Sequence, residues 1–436
     1  MSKAILFDGI RSPFLKAGTI PDLSAVTLGS HVLRHLVEKY NLRGTSPLVI
    51  GANIGNQLLH PDGSNVTRYI ALASGLSQAT PALTVNINCA SGLEAVIQAA
   101  MRVEAGINDV VWVVGVEVMS DYLAVYNREQ RGVHGQWLAA SKEKKWWKKY
   151  PRLLSLWWKT KTMPHAPIWA LEKGLTDPFV HLKMDQIADA IANDKEYGSS
   201  KEEQDLFALQ SHQRASKARA SGRLAKEILP FGKHVHDNGI RDNQTLDDLK
   251  YKTKPIYKGG TTSAGNSSQL TDGAVALLIV SEEVAQNLLT WQVDSEKERK
   301  RLPMAEISAK FSGYAGCDPA RMGIGPVGAV KDVLNKMEGV SLENFDLIET
   351  NEAFASVVLA QKKLLEKEGI GYLDLDNKVN VNGGAIALGH PLAASGTRLA
   401  LTCAMELQLR NLNRGLVTLC VGGGQGVALP LERRTL

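Results

Sequence analysis

The stretch TVNINCASGLEAVIQAAMRVEAGINDVVWVVGVEVM, residues 84–119, reads as strand, small-residue turn, helix, Gly/Asn turn and strand. A β-branched run ends at Cys89. SGLEAVIQAAM then carries apolar residues at helical spacing, and the helix closes at Gly106. DVVWVVGVEVM is an apolar run of the kind a buried strand requires. Units of this type build a parallel or mixed sheet with helices on both faces, so the fold class is α/β.

The pattern extends in both directions. KAILFDGI and PLVIGANI read as strands, and VTLGSHVLRHLVEKY reads as a helix between them. NVNGGAIALGHPLAASGTRLALTCAMELQLRNLNRGLVTLCVGGGQGVAL, residues 380–429, repeats strand, turn, helix, turn and strand with a longer first turn. Identity between the copies is low, so the echo is topological. It predicts two similar α/β halves packed together, with chemistry where their loops meet. At 436 residues the chain exceeds one ordinary core. Residues 1–120 form the first half, completed by 261–284, and 285–436 form the second. Residues 121–260 read as an insertion with helices of its own, one of them capped by Ser199 or Ser200.

Composition narrows the class. With 44% hydrophobic and 22% charged residues and a net charge of +5, the chain is an ordinary globular protein. Its four cysteines, Cys89, Cys317, Cys403 and Cys420, form no C-x-x-C pair, which excludes a zinc module and a disulfide framework. They read as free thiols in a reducing compartment. MSKAILFDGIRSPF runs straight into a strand, LERRTL matches no retention or peroxisomal signal, and no apolar run approaches the ~18–20 residues of a membrane span. The expected location is cytoplasmic.

Four stretches carry chemistry. Cys89 lies between a strand and a helix start, where unpaired N–H groups and the helix dipole are expected to lower its pKa; the alternative is a small buried side chain. His390, in GGAIALGHPLAASGTR (383–398), sits in a turn between glycines and a proline. It is a candidate general base or a structural histidine. In TLCVGGGQG (418–426), Cys420 ends a strand and meets glycines that either present N–H groups to an oxyanion or simply make a tight turn. Asn351 and Glu352, in ETNEAFA (349–355), follow a strand as a site pair or a helix cap.

Together these residues resemble the thiolase family of acyl-CoA acyltransferases. The resemblance covers nearly the whole chain and rests on DGIRSPF, NCASGLEA, GNSSQLTDGAVALL, GIGPVGAV, NEAFA, NGGAIALGHPLAASGTR and CVGGGQG occurring in order. It implies a duplicated αβαβα layered fold with a helical insertion (loop) domain. It also implies a reaction: cleavage of 3-ketoacyl-CoA by CoA in fatty-acid β-oxidation, through an acyl-Cys89 intermediate. By resemblance, His390 activates Cys89 and later the CoA thiol, and Cys420 exchanges the proton of the leaving carbanion. One oxyanion hole would use His390 and a water held by Asn351; the other, the N–H groups of Cys89 and Gly422. Ser268 matches a serine near pantetheine, Arg241 an arginine near adenine, and Met184 a substrate-pocket methionine. Coenzyme A is a substrate, and no permanently bound cofactor or metal is implied. The family implies a homodimer or homotetramer and admits an α-type subunit with hydratase and dehydrogenase activities.

Departures from the family pattern fall in KMDQIADAIA (183–192). There Asp185, Ile187 and Asp189 replace the usual Gly-x-Thr-Ala-Glu positions, which puts the shape of the acyl or pantetheine pocket in question. Ala393 stands where many thiolases have glycine, as in some trifunctional-type β subunits, whereas Asn351 stands where that branch often has histidine.

KEKKWWKKYPRLLSLWWKTK, residues 142–161, carries eight Lys/Arg against one Glu and four of the eight tryptophans. Its spacing predicts an amphipathic helix, kinked or restarted at Pro151, for a membrane surface, a partner subunit or the chain's own core. Nucleic acid is not expected, because no basic recognition motif accompanies it. The alternatives to degradative cleavage are a biosynthetic acetoacetyl-CoA thiolase and a non-catalytic docking or scaffold subunit.

Overall fold

The computed structural model describes residues 2–42, 47–55, 60, 62–125, 128–162, 168–292, 302 and 304–434. The strands are β1 Ala4–Arg11, β2 Leu15–Lys16, β3 Leu48–Ala52, β4 Ala82–Val85, β5 Val110–Val118, β6 Ala124–Val125, β7 Ile168–Trp169, β8 Thr271–Ser281, β9 Ala305–Ile307, β10 Gly313–Gly316, β11 Leu347–Thr350, β12 Arg414–Val421 and β13 Gln425–Arg433. The helices are α1 Ala25–Tyr40, α2 Val66–Ala73, α3 Ser91–Glu104, α4 Arg128–Ser141, α5 Trp146–Thr162, α6 Ala170–Gly174, α7 Met184–Ala192, α8 Lys201–Ala220, α9 Glu282–Gln292, α10 Gly325–Lys336, α11 Ala355–Lys367, α12 Ala385–Leu388 and α13 Leu392–Arg410.

The sequence echo becomes a structural one. In the first half the strand order is β4-β3-β5-β8-β1, with β4, β3 and β5 parallel and β8 and β1 each antiparallel to its predecessor. The second half repeats it. Val379 bridges parallel to Ile348 of β11, β12 is parallel to β11, and β13 and β9 follow antiparallel. The halves join where β1 pairs with β9.

Each half of the sheet has two covered faces. The inner face packs on the related helices α3 and α13, through Leu93, Val96, Leu399 and Ala404 against Ile50, Val113, Leu277, Val417 and Leu429. The outer face of the first half is covered by α1 through Leu28, Val32 and Leu36. That of the second half is covered by α10 and α11 through Val330, Val333 and Val357. Helix, sheet, central helices, sheet and helix make up the layered αβαβα fold that the family blocks implied. The central pair approaches closely because both helices carry glycine at the crossing. A Cβ on Gly92 would lie 2.4 Å from the Ala393 carbonyl, and one on Gly396 would lie 2.3 Å from the Leu93 nitrogen.

The chain divides into two compact units, Met1–Asp121 with Asp177–Leu436, and Tyr122–Thr176. The separate unit is therefore narrower than the 121–260 insertion read from sequence. The reason lies in α8. Ser200 caps it in a reciprocal box with Glu203, and its Phe207 and Leu209 pack on Val358 and Ile386, while Ala215 packs near Leu388. The following segment is tied to β1 by Arg11, wholly buried, which pairs with Glu227 at 2.8 Å and with Asp237 at 2.7 Å. Within the smaller unit, α4 and α5 pack through Val133, Ala140 and Leu156, and β6 pairs with β7. Among the described residues no helix is long and apolar enough to cross a membrane.

Candidate active site

Close packing of α3 against α13 brings the residues that precede both helices, Cys89 and His390, to the same end of the layered core. The turn before α3 is built locally. Asn88 adopts a left-handed conformation (φ 48°), the Ser91 hydroxyl donates to the Asn88 carbonyl at 2.6 Å, and that hydroxyl oxygen accepts the Ile87 amide at 2.8 Å. Asn88 then donates its side-chain amide to the Gly422 carbonyl at 2.8 Å, locking the Cys89 turn to the Gly-rich turn of the other half.

The Cys89 thiol is pushed up to about 11 by burial. Hydrogen bonding from the Gly422 and Cys89 N–H groups opposes this, and the Glu117 charge adds to it. The sequence reading expected the helix start to lower this pKa. The N–H groups are present as expected, but desolvation of the anion outweighs them. Cys89 therefore rests as a thiol at neutral pH.

The candidate base His390 immediately precedes Pro391, the cap of α13. His390 is buried, and its Nδ1 lies 2.6 Å from Ser395 Oγ. The Ser395 hydroxyl donates to the Pro391 carbonyl at 3.2 Å, so it accepts from His390, fixing the Nδ1–H tautomer and leaving Nε2 as the acceptor nitrogen. Asn351 Nδ2 approaches that Nε2 at 3.3 Å. Burial, and then the charge of Arg398, lower the imidazole to about 3, so it rests neutral. The resting pair is thus thiol and neutral imidazole.

Asn351 is buried, its backbone N–H donates to the Thr418 carbonyl at 3.1 Å, and its Oδ1 is buried without a protein partner. A buried amide oxygen in this state is a ready acceptor for a water. Glu352 beside it has a supporting role. It accepts from Ser211 at 2.7 Å, Asn380 at 2.8 Å and the Ile386 amide at 3.2 Å, holding the loop before His390 against the end of β11.

Cys420 is buried at the end of β12, and its thiol is raised by burial and then by the Cys89 charge, with Cys317 also contributing. Cys420 is therefore within electrostatic reach of both Cys89 and Cys317. Cys317, which the sequence reading left without a role, donates its backbone N–H to the Gly424 carbonyl at 2.8 Å. Met184 at the start of α7 reaches the same turn: a Cβ on Gly422 would lie 3.9 Å from its Sδ and Cε.

The segment that resembles the coenzyme A loop threads between these elements. The Ser268 amide donates to the Ala353 carbonyl at 3.0 Å, and the amide of His390 donates to Thr271 Oγ1 at 3.2 Å. Ser268 is half-buried beside NEAFA. Arg241 lies along the same loop, donating to Gln244 at 3.3 Å and to the Ala264 carbonyl at 3.4 Å. The altered α7 positions acquire partners here. Asp189 accepts the amides of Thr261 and Thr262 at 2.8 and 2.7 Å, Asp185 accepts the Tyr257 hydroxyl at 2.9 Å, and Ile187 is wholly buried.

Several supporting residues went unnoticed in sequence. Ser395 was recoverable as a hydroxyl one helical turn past Pro391. Glu117, which accepts the amides of Gly55 at 2.9 Å and Ala393 at 3.2 Å, gave no signal inside an apolar strand. Among the described residues, His60, Asp62 and Asp121 place one ligand-type atom each within 4.8 Å of one another. Both His60 ring nitrogens are already engaged: Nδ1 accepts the Asp62 amide at 3.2 Å, and Nε2 lies 3.2 Å from the Asp121 carbonyl oxygen.

Comparison with known proteins agrees with this geometry. The models for the thiolase N-terminal and C-terminal domains match residues 4–283 and 302–433. The chain is 36% identical over 430 residues to an acetyl-CoA acetyltransferase of Chromobacterium violaceum, covering 95% of each. It superposes on the crystal structure of the Bacillus anthracis acetyl-CoA acetyltransferase with a TM-score of 0.81 at 31% identity, covering 99% of each chain. It superposes on human mitochondrial 3-ketoacyl-CoA thiolase in complex with CoA with a TM-score of 0.79 at 29% identity, covering 99% of this chain and 98% of that one.

Proposed function

The chain belongs to the thiolase family, and from that premise we propose that it cleaves 3-ketoacyl-CoA with CoA, giving acetyl-CoA and a shortened acyl-CoA. The observation that carries the reading is that Cys89 and His390 precede two closely packed helices, with the His390 tautomer fixed by Ser395.

In this reading His390 Nε2 takes the Cys89 proton, and the thiolate attacks the substrate's keto carbon. The imidazolium and a water on Asn351 Oδ1 stabilise one developing oxyanion; the N–H groups of Cys89 and Gly422 stabilise the other. Collapse breaks the C2–C3 bond, leaves the acyl group on Cys89, and transfers the Cys420 proton to the acetyl-CoA carbanion. His390 returns its proton to the Cys420 thiolate and then takes the proton of incoming CoA. The CoA thiolate attacks the acyl-Cys89 thioester, acyl-CoA departs, and Cys89 recovers the proton from His390. Ser268, Arg241 and Met184 line the CoA and acyl path. CoA acts as a substrate, and no resident cofactor takes part.

The neighbours carry both acetyl-CoA acetyltransferase and 3-ketoacyl-CoA thiolase names, so chain length and direction set the finer reading. Asp185, Ile187 and Asp189 stand on the helix that carries the pocket methionine, so the acyl-chain preference is the property that separates the two readings. A homo-oligomer, with or without an α-type hydratase/dehydrogenase subunit, fits this role. The test is CoA-dependent cleavage of a four-carbon and a sixteen-carbon 3-ketoacyl-CoA by purified protein. Turnover of the long chain supports degradative β-oxidation. Turnover of the short chain alone moves the protein to acetoacetyl-CoA metabolism, and turnover of neither overturns the proposal.

A further inference from the structure

The C-terminal ends of α8 and α13 and the segment 376–382, which leads towards α12, line a cleft of about 550 Å³. Five cations face it, Arg214, Lys217, Arg223, Lys226 and Arg410, against two carboxylates, Asp376 and Glu406. Glu406 is already committed: it accepts from Arg223, Arg410 and the Asn382 side-chain amide. Arg223 also meets Glu227 at 3.0 Å. The other three cations have no such partner. Arg214 is half-buried and donates only to backbone carbonyls, at 2.7 Å to Leu375, 2.9 Å to Val379 and 3.2 Å to Asp376. Those bonds fix the guanidinium without neutralising it. Lys217 and Lys226 are exposed and form no ion pair among the described residues.

The cleft is distinct from the loop that carries Arg241. His212, Ser216 and Arg219 of α8 face that loop: His212 Nδ1 accepts the Arg241 amide at 3.2 Å, and Asp242 accepts from Ser216 and Arg219. At ~100° per residue, Arg214, Lys217, Ala218 and Ser221 lie on the opposite side of the helix, and these four line the cleft.

Charge and size define what would fit. A concavity with cations in excess focuses positive potential and draws in a multivalent anion. The volume falls within the ~300–1,000 Å³ range of small-molecule sites and is generous for a single phosphate. The fixed guanidinium offers a planar fork, and the two lysines are point charges on flexible stems that reach separate oxygens. A diphosphate supplies several separated oxyanions to such a set.

We propose that this cleft is a second anion site, for a small molecule bearing a diphosphate group. The proposal does not rest on the acyl chemistry, since no cleft residue belongs to the catalytic cluster.

The test is isothermal titration calorimetry on the full-length protein with inorganic pyrophosphate, orthophosphate and ADP. Pyrophosphate is expected to bind at least ~10-fold more tightly than orthophosphate, because it engages at least one more charged donor. Lys217→Gln with Lys226→Gln removes two exposed cations that support no contact in the fold. It should weaken pyrophosphate binding at least ~10-fold and leave thiolysis turnover unchanged. Arg241→Ala, on the other side of α8, should leave pyrophosphate binding at its native strength. ADP binding more tightly than pyrophosphate assigns the remaining volume to a nucleoside; equal or weaker binding assigns the site to free diphosphate, and either result supports it. Absence of pyrophosphate binding overturns the proposal, as does native affinity in the lysine variant. Loss of binding in Arg241→Ala alone would assign the anion to the CoA path and likewise overturn it.

Discussion

His390 Nδ1 lies 2.6 Å from Ser395 Oγ, and the same hydroxyl is committed as donor to the Pro391 carbonyl at 3.2 Å. One serine thus decides which imidazole nitrogen carries the proton. With Nδ1 protonated, Nε2 faces Asn351 as a lone pair, the form a base requires. Ser395→Ala removes that constraint while leaving a small side chain in the helix. It should lower kcat by about 10- to 10²-fold with little change in KM for CoA. Steady-state thiolysis kinetics check this; unchanged kcat would assign Ser395 to packing alone.

The resting protonation states give a pH signature. Cys89 is pushed up to about 11 and His390 down to about 3, so neutral pH lies between them and both groups are uncharged there. The thiolate fraction of the free enzyme then grows with pH throughout the neutral and alkaline range. Alkylation of Cys89 by iodoacetamide should accelerate about tenfold per pH unit from pH 7 to 10. A rate already flat at pH 7 would indicate a standing thiolate–imidazolium pair and contradict the assignment. Mass analysis of the labelled peptide separates Cys89 from Cys317, which is also half-buried and raised to about 11.

Asp189 offers a test of the altered α7. Its Oδ1 accepts two consecutive amides, Thr261 and Thr262, at the entrance to the loop that carries Ser268. Asp189→Ala leaves both donors without that acceptor, at a cost of about 1–3 kcal/mol each where they remain buried. The loop should shift, raising KM for CoA roughly 10-fold with a smaller effect on kcat. Asp189→Asn retains a carbonyl acceptor and should lie between. Equal KM values in all three proteins would show that the loop holds its position without the carboxylate.

Sequence reading recovered those parts of this protein that rest on local pattern. The strand–helix–strand unit at 84–119 and its echo at 380–429 carry periodicities that survive into β4–α3–β5 and into α13–β12–β13. Cys89, Cys420 and Asn351 were visible because each stands at or just past an apolar run, and His390 because it sits in a turn between glycines and a proline. What the sequence did not carry was long-range. Burial reversed the direction of the Cys89 pKa, since the desolvation of a thiol depends on packing from both halves. Glu117 looks like an isolated acid in VVWVVGVEVM, and its partners Gly55 and Ala393 come from distant segments. The extent of the separate unit also escaped notice. The apolar contacts of α8 with α11 and α12 leave no mark on composition, so helices that belong to the main body read as part of an insertion.

The crossing of α3 and α13 links stability to the site, and Gly92 tests that link. A Cβ there would lie 2.4 Å from the Ala393 carbonyl, 2.5 Å from Thr397 Oγ1 and 2.8 Å from the Thr397 nitrogen. Two of these are backbone atoms of a buried helix, so relief requires movement of α13 itself rather than a side-chain rotation. Gly92→Ala gains helix propensity of about 1 kcal/mol, but overpacking typically costs about 1–3 kcal/mol, so a net loss of stability is expected. The displacement should also separate the ends of the two helices that present Cys89 and His390. A sub-ångström error in that geometry should lower kcat by about 10- to 10²-fold. The comparison is Gly106→Ala at the far end of α3. There the residue has φ 66° and open space around its Cβ position, so the substitution should cost about 1 kcal/mol of stability and leave kcat near the native value. Thermal unfolding and thiolysis measured on both variants decide the point. If Gly92→Ala lowers Tm but keeps native kcat, the helix crossing supports the fold without setting the distance between nucleophile and base.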